Sequence, residues 1–307
     1  LGYDNLILAT GSTPRLLPSS LSGELAGIYY MRSIADADAI EPEFTSGRRC
    51  LVVGGGYIGL EAAAVAAKRG VEVTLIEAAE RILQRVACSQ TSDYFRDLHR
   101  SHGVDVREGI GLQALDGKDG RVSSATLSDG TSLDVDFVIA GIGILPNVEL
   151  AQAAGLDCEN GIRVDARCIT SDPAIMAIGD CACFPRNGAQ LRLESVGNAI
   201  DHGQLAAASV MGSDETYEAK PWFWSDQYDI KLQIAGLSTG FDTIVERKGD
   251  AASRSFWYYA GSKLLAVDAM NDPRAYMVAK RLIEAGKSPP ADAVSDTELD
   301  LKELLKT

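Results

Sequence analysis

The stretch LVVGGGYIGLE, residues 51–61, constrains the fold of this chain more than any other. Cys50–Val53 reads as a buried strand. Gly54-x-Gly56-x-x-Gly59 follows it and opens an alanine-rich segment of helical texture, Tyr57–Lys68. Strand, glycine turn and helix in this order begin a dinucleotide-binding βαβ unit. Gly54 permits the tight turn, Gly56 lets backbone approach a pyrophosphate, and Gly59 lets helix and strand pack closely. The helix start, with Tyr57 and Ile58 in its first turn, offers N–H groups and partial positive charge to phosphate.

The following residues keep the alternation that this unit needs. VEVTLIE (Val71–Glu77) reads as a second strand, Ser89–His102 as a helix stopped by Gly103, and Val104–Arg107 as a third strand. Val122–Leu127 and Leu133–Asp136 flank SDGT, a hairpin signal, and Phe137–Ala140 returns as a strand. Alternating strands and helices predict an α/β fold with a parallel sheet and right-handed crossovers. Glu77 ends the second strand, where a carboxylate binds the adenosine ribose hydroxyls. It would repel a 2′-phosphate, and Ala78-Ala79-Glu80 adds no base to welcome one. Arg81, the nearby cation, reads as solvent-facing, so the expected cofactor is NAD(H) and not NADP(H).

Beyond residue 146 the texture is mixed. Ala174–Ile178 reads as a strand that ends in Gly179-Asp180, an acid at a strand carboxyl end, where ligands lie in open α/β sheets. A long helix is expected over about Ser195–Met211, with Ser195 as its cap. From Pro221 onward, KLQIAGL and SRSFWYYAGSKLLAVDAM read as antiparallel strands, followed by a helix over 274–285 and a charged terminal helix. Trp222 and Trp224 share a face if 222–226 is a strand.

The formal charge of −14 over 307 residues, with no basic stripe to offset it, argues against nucleic acid as a partner. No apolar run approaches the length of a membrane span. Six cysteines (50, 88, 158, 168, 181 and 183) have no metal spacing, and read as buried thiols of a reducing, cytoplasmic compartment.

Six segments occur together in order: ATGSTPR (9–15), GGGYIGLE (54–61), GIGILPN (141–147), AIGDCA (177–182), ESVGNAIDHG (194–203) and WFWSDQYDIKLQIAGL (222–237). In this combination the chain resembles, over its whole length, the FAD- and NAD-dependent ferredoxin reductases of bacterial oxygenase systems. WSDQYD followed by LQIAGL is the most specific part, because it separates this branch from the disulfide reductases. The resemblance implies a Rossmann-like NAD domain inserted in an FAD domain, plus a C-terminal α+β domain. The expected division is residues 1–27 as the end of a first FAD segment, 28–145 as the NAD domain, 146–220 as a second FAD segment and 221–307 as the C-terminal domain. The opening YDNLILATGSTPR resembles the last strand of the first FAD segment. The sequence is therefore expected to be a fragment with an incomplete FAD site, and to hold FAD weakly on its own.

The resemblance also implies roles. NADH would deliver hydride to FAD, which would pass electrons singly to a ferredoxin-type iron–sulfur protein. Gly54, Gly56 and Gly59 would cradle the NAD pyrophosphate, with Glu77 on the ribose. Glu61 would lie near the nicotinamide, beside Gly141 and Gly143. Thr10, Gly11, Arg15, Gly179 and Asp180 would contact FAD. Ser195 and Val196 would start a helix whose dipole favours the reduced flavin. Trp224 would lie near the flavin edge where the partner docks, with Asp226, Gln227 and Tyr228 shaping that region. Arg186, Arg192 and Lys220 are candidates for steering an acidic partner. Gly197 and His202-Gly203 depart from the bulkier residues expected in the family. Two other readings stay open: a flavin disulfide or peroxide reductase, which would need a reactive cysteine near the flavin, and a non-catalytic NAD-binding, redox-sensing module.

Overall fold

The structure is a computed structural model, and it describes residues 2–249 and 253–306. The chain divides into two compact units, one formed by Leu1–Thr13, Ile144–Phe223 and Ala235–Leu237, the other by Pro14–Gly143, Trp224–Ile234 and Ser238–Thr307.

In the second unit, five parallel strands lie in the spatial order Ile28–Tyr29, Phe137–Ala140, Arg49–Val53, Glu72–Glu77, Asp105–Glu108. Val52 lies opposite Leu75 on one side and Ile139 on the other, so the central strand is apolar on both faces, as a strand covered on both sides must be. The helix Tyr57–Lys68 crosses over between the Arg49–Val53 and Glu72–Glu77 strands, with Leu60, Ala63, Ala64 and Ala66 buried. Small alanines keep it close to the sheet. The helix Ser89–Ser101 follows, with Phe95 and His99 buried and His102 at its end.

The hairpin expected near Asp129-Gly130 is present, between Arg121–Leu127 and Ser132–Asp134. It belongs to a three-stranded antiparallel sheet, because Leu112–Lys118 also pairs with Arg121–Leu127. That extra strand carries Asp116 and Gly117, poor strand formers, which concealed it. A five-stranded sheet is formed by residues from 222 onward, in the order Trp222–Gln227, Ile230–Gly236, Lys263–Met270, Arg254–Ala260, Thr243–Lys248. The edge strand Thr243–Lys248 (TIVERK) is half charged, a composition that does not read as a strand and that suits an exposed sheet edge. Ile230, Leu232, Phe256, Tyr258, Ala266 and Met270 of this sheet share one core with Val52, Leu75, Phe95 and Ile139 of the parallel-sheet region. The helix Pro273–Glu284 starts at its Asp272 cap. The expected charged terminal helix is instead a short helix, Ala291–Ser295, and a 3-10 segment, Leu301–Lys306.

In the first unit, the opening strand Leu6–Leu8 pairs in parallel with Ile175–Ala177. Ile162–Arg163, Ala182–Arg186 and Ala189–Leu191 form a second small sheet. The helix Val196–Val210 begins at Ser195, whose hydroxyl accepts the Asn198 N–H. Leu8, Ile162, Ile175, Ala177, Cys181 and Phe184 are among its core residues. Among the described residues no helix is long and apolar enough to cross a membrane.

Candidate cofactor sites

In the second unit, Gly54 has φ +108, and a Cβ there would stand 2.4 Å from the Gly141 carbonyl oxygen. A Cβ on Gly59 would stand 2.0 Å from the carbonyl oxygen of Gly54. These two glycines let strand, turn and helix touch backbone to backbone. At Gly56, the residue before the helix, a Cβ would meet nothing within 4 Å. The helix has no acid in its first turn and no side-chain cap among the described residues. Open space in front of an uncapped helix N-terminus fits a dinucleotide pyrophosphate. Tyr57 is half-buried and Ile58 exposed in that first turn.

Glu77 braces this turn. Its carboxylate accepts the Gly55 N–H at 2.7 Å and the Ala79 N–H at 2.8 Å. Each bond uses one oxygen, which leaves acceptor capacity on both for ribose hydroxyls. Arg81 does not face solvent as its sequence context suggested. Its guanidinium donates to the Cys88 carbonyl, the Ser92 hydroxyl and the Ala87 carbonyl, at 3.2, 2.5 and 2.8 Å. It is therefore spent on the loop that follows Glu77. No described hydrogen bond turns it toward a 2′-phosphate, which strengthens the preference for NAD(H).

Glu61, one turn into the same helix, is not a solvated surface acid. It is half-buried and accepts a 2.6 Å hydrogen bond from Ser225, which is fully buried. Burial raises its carboxyl pKa, the Ser225 hydrogen bond draws it back, and the neighbouring Asp226 charge raises it further. Gly141 and Gly143 lie in the loop after the Phe137–Ala140 strand, and Gly143 has φ +100 with open space at its Cβ position. The Gly143 carbonyl accepts the Arg15 N–H at 2.9 Å, and the Arg15 side chain is exposed. Trp224 is exposed, whereas Ser225 and Gln227 on either side of Asp226 are buried.

In the first unit, two loops are stitched together. Thr10 donates to the Asn147 carbonyl at 2.6 Å, and the Asn147 amide returns a bond to the Thr10 carbonyl at 2.8 Å. The Asn147 N–H also bonds to the Gly11 carbonyl. Asp180 follows Gly179 at the carboxyl end of the Ile175–Ala177 strand, and accepts from the Ser12 hydroxyl at 2.9 Å. The Gly179 N–H donates to His202 Nδ1 at 3.2 Å. His202 is fully buried, its ring edge-on to Phe184 and Tyr217, and burial lowers its pKa to about 4. His202, one of the departures from the family pattern, thus buttresses the Gly179-Asp180 turn. Gly197 has a local reason too: a Cβ there would stand 2.5 Å from Trp222 Nε1, so the glycine makes room for the indole. The Val196–Val210 helix has no acid in its first turn, and Val196 is exposed. A carboxylate beside a left-handed glycine, with a helix N-terminus free of acids, suits the polar part of a flavin nucleotide.

His99 carries no local signal in the sequence, Ser12 and Asn147 lie inside the ATGSTPR and GIGILPN segments without a role of their own, and His202 reads there only as a departure from the family pattern. Arg192, a docking candidate, is engaged internally with Glu194 and with the backbone carbonyls of Asn160 and Asp180. Lys220 is exposed and Arg186 half-buried. All six cysteines are free, and five are buried. Burial pushes the Cys168 thiol up to about 12 and raises those of Cys50, Cys158 and Cys183. Such thiols are poor nucleophiles.

The pyridine nucleotide-disulphide oxidoreductase family model matches residues 1–203, and the reductase C-terminal model matches residues 222–305. Rhodocoxin reductase of Rhodococcus erythropolis is 41% identical over 303 residues, covering 98% of this chain and 71% of that protein. Putidaredoxin reductase of Pseudomonas putida is 42% identical over 313 residues, covering 99% and 74%. The solved covalent putidaredoxin reductase–putidaredoxin complex superimposes with a TM-score of 0.96 at 41% identity, over 100% of this chain and 75% of that one.

Proposed function

This chain belongs to the family of FAD- and NADH-linked ferredoxin reductases, and from that premise we propose that it carries electrons from NADH through FAD to a ferredoxin-type iron–sulfur protein. When bound, FAD would supply the chemistry that turns the electron pair of an NADH hydride into single-electron transfers.

The observation that carries the reading is the Gly54–Gly59 turn with Glu77 behind it. The uncapped helix start at Gly56, Tyr57 and Ile58 binds the NAD pyrophosphate. Glu77, already held by two backbone N–H groups, orients on the adenosine ribose. Its charge and the engagement of Arg81 disfavour NADPH. Glu61, with Gly141 and Gly143, lies toward the nicotinamide end. Asp180, with Gly179, Thr10, Gly11, Arg15, Ser195 and Val196, serves the FAD. Trp224, exposed on its strand, serves the edge where the partner docks, and Lys220 and Arg186 contribute positive charge for an acidic partner. Six free thiols suit a reducing, cytoplasmic setting.

The buried, high-pKa cysteines disfavour the disulfide-reductase alternative. The test is NADH-driven reduction of a ferredoxin-type iron–sulfur protein by the flavin-loaded protein, beside a disulfide and a peroxide as acceptors. Rapid reduction of the iron–sulfur protein alone is expected. Preferential reduction of the disulfide or peroxide overturns the reading.

A further inference from the structure

A file of buried polar side chains leads away from Glu61. Ser225 donates to Glu61 Oε1 at 2.6 Å. Gln227 Nε2 donates to the Ser225 oxygen at 3.0 Å. Gln227 Oε1 lies 2.8 Å from His99 Nε2, and the Tyr228 hydroxyl lies 3.2 Å from His99 Nδ1. Ser225, Gln227 and His99 are all fully buried. Ser225 and Gln227 are two apart on the Trp222–Gln227 strand, so they share a face. His99 comes from the Ser89–Ser101 helix.

With Glu61 ionised, every proton in this file is assigned by the one before it. A carboxylate only accepts, so Ser225 must spend its single hydrogen on Glu61. Ser225 then accepts from the Gln227 amide, which turns the amide oxygen toward His99. That oxygen needs a donor, so His99 carries its proton on Nε2. Nδ1 is left bare and accepts the Tyr228 hydroxyl. His99 is held neutral, since burial lowers its pKa to about 4, although its Gln227 hydrogen bond opposes this. Four hydrogen bonds therefore point the same way, each polarising the next toward the carboxylate.

The outer end is anchored. Tyr228 adopts φ +58, an uncommon conformation for a side chain of its size. Its ring stacks on His102, with centroids 3.7 Å apart and planes 13° apart. Lys68, on the helix that carries Glu61, donates to the Tyr228 carbonyl at 2.9 Å. Tyr228 and His102 line an open groove of about 780 Å³, where the file meets solvent. A proton wire is not the natural use of this path, because the Gln227 amide does not readily take up and pass on a proton. A chain of aligned dipoles is.

We propose that Ser225, Gln227, His99 and Tyr228 are positioning residues that hold Glu61 ionised and in one orientation at the nicotinamide end of the NAD site. The proposal rests on the nicotinamide reading of Glu61.

The test has two parts. First, the imidazole 15N shifts of His99 are measured by NMR in the unmodified protein at neutral pH. A neutral ring protonated on Nε2 is expected, and one protonated on Nδ1 overturns the proposal. Second, Ser225→Ala, Gln227→Leu, His99→Phe and His99→Gln are compared in the flavin-loaded protein, alongside their melting temperatures and direct NADH titrations. In Ser225→Ala and Gln227→Leu, kcat falls several-fold while KM and Kd for NADH stay within about twofold, since the pyrophosphate and ribose contacts are untouched. His99→Phe behaves likewise, and His99→Gln, which restores a donor to Gln227, recovers most of the loss. Folded Ser225→Ala and Gln227→Leu variants with unchanged kinetics overturn the relay. Glu61→Ala separates the two ideas. If it slows the reaction while those variants do not, only the relay fails. If it changes nothing, the nicotinamide reading fails and takes the relay with it.

Discussion

A Cβ on Gly59 would sit 2.0 Å from the Gly54 carbonyl oxygen, well inside contact distance and against backbone that cannot swing aside. Gly59→Ala is therefore expected to destabilise the parallel-sheet unit by about 1–3 kcal/mol or more, as overpacking does. Gly56→Ala meets nothing within 4 Å and should change stability by less than about 1 kcal/mol. Its methyl group instead occupies the space offered to phosphate, so NADH affinity should fall on the order of tenfold. Urea denaturation and NADH titration of both variants check this contrast. Equal stability loss in the two would contradict the assignment of separate roles.

Glu77 has a structural and a selective task. Glu77→Ala strips the Gly55 and Ala79 N–H groups of their acceptor, a loss of about 1–3 kcal/mol. It also removes the charge that rejects a 2′-phosphate. The ratio of kcat/KM for NADH to that for NADPH should drop by about tenfold or more. Arg81 stays tied to Ser92 and the Ala87 carbonyl, so full conversion to NADPH is not expected. An unchanged ratio would remove Glu77 from the ribose site.

Asp268 is buried, and accepts hydrogen bonds from Tyr258 and from Thr91 at 2.7 Å. Burial pushes its carboxyl up to about 6, while the two hydrogen bonds draw it back. The folded state then holds this proton more tightly than the unfolded state does. Between about pH 4 and pH 6 its contribution to stability falls as pH rises, by about 3 kcal/mol in all. Asp268→Asn should abolish that slope. The stability difference between the unmodified protein and this variant, followed by urea denaturation across the window, should shift in the variant's favour with rising pH and flatten above it. A difference independent of pH would show that Asp268 ionises as readily folded as unfolded.

His202 contributes with the opposite sign. Its pKa is lowered to about 4, so its stabilisation is present above the unfolded value of about 6.5 and is lost as pH falls toward 4. His202→Leu should flatten that acid limb. It also leaves the Gly179 N–H without its acceptor, at a cost of about 1–3 kcal/mol. Because Gly179 precedes Asp180, the variant should also bind FAD more weakly in an equilibrium titration. An unchanged FAD Kd would mean that the Gly179-Asp180 turn does not depend on the imidazole.

The local grammar of the chain was readable where contacts are local. Tyr57–Lys68 and Phe137–Ala140 have the bounds that glycine turns and apolar runs implied. Glu77 could be placed at its strand end for the same reason. What escaped depends on partners far along the chain. His99 meets Gln227 only because a helix packs on a strand from the C-terminal sheet, and nothing near residue 99 announces that. Asn147 is a loop residue whose value lies in the Thr10 backbone it grips. Arg81 reads as solvent-facing because most of its acceptors are carbonyls, which carry no side-chain signature, and its one side-chain acceptor, Ser92, lies on the next helix. The strands Leu112–Lys118 and Thr243–Lys248 are polar, and pairing rather than pattern makes them strands.

The central claim is tested most directly by the visible spectrum of the flavin-loaded protein under anaerobic conditions, before and after one equivalent of NADH, and again after a ferredoxin-type iron–sulfur protein is added. The account predicts that NADH bleaches the flavin band, and that the iron–sulfur protein restores it while becoming reduced. A flavin band that NADH leaves untouched, although NADH binds, would contradict it.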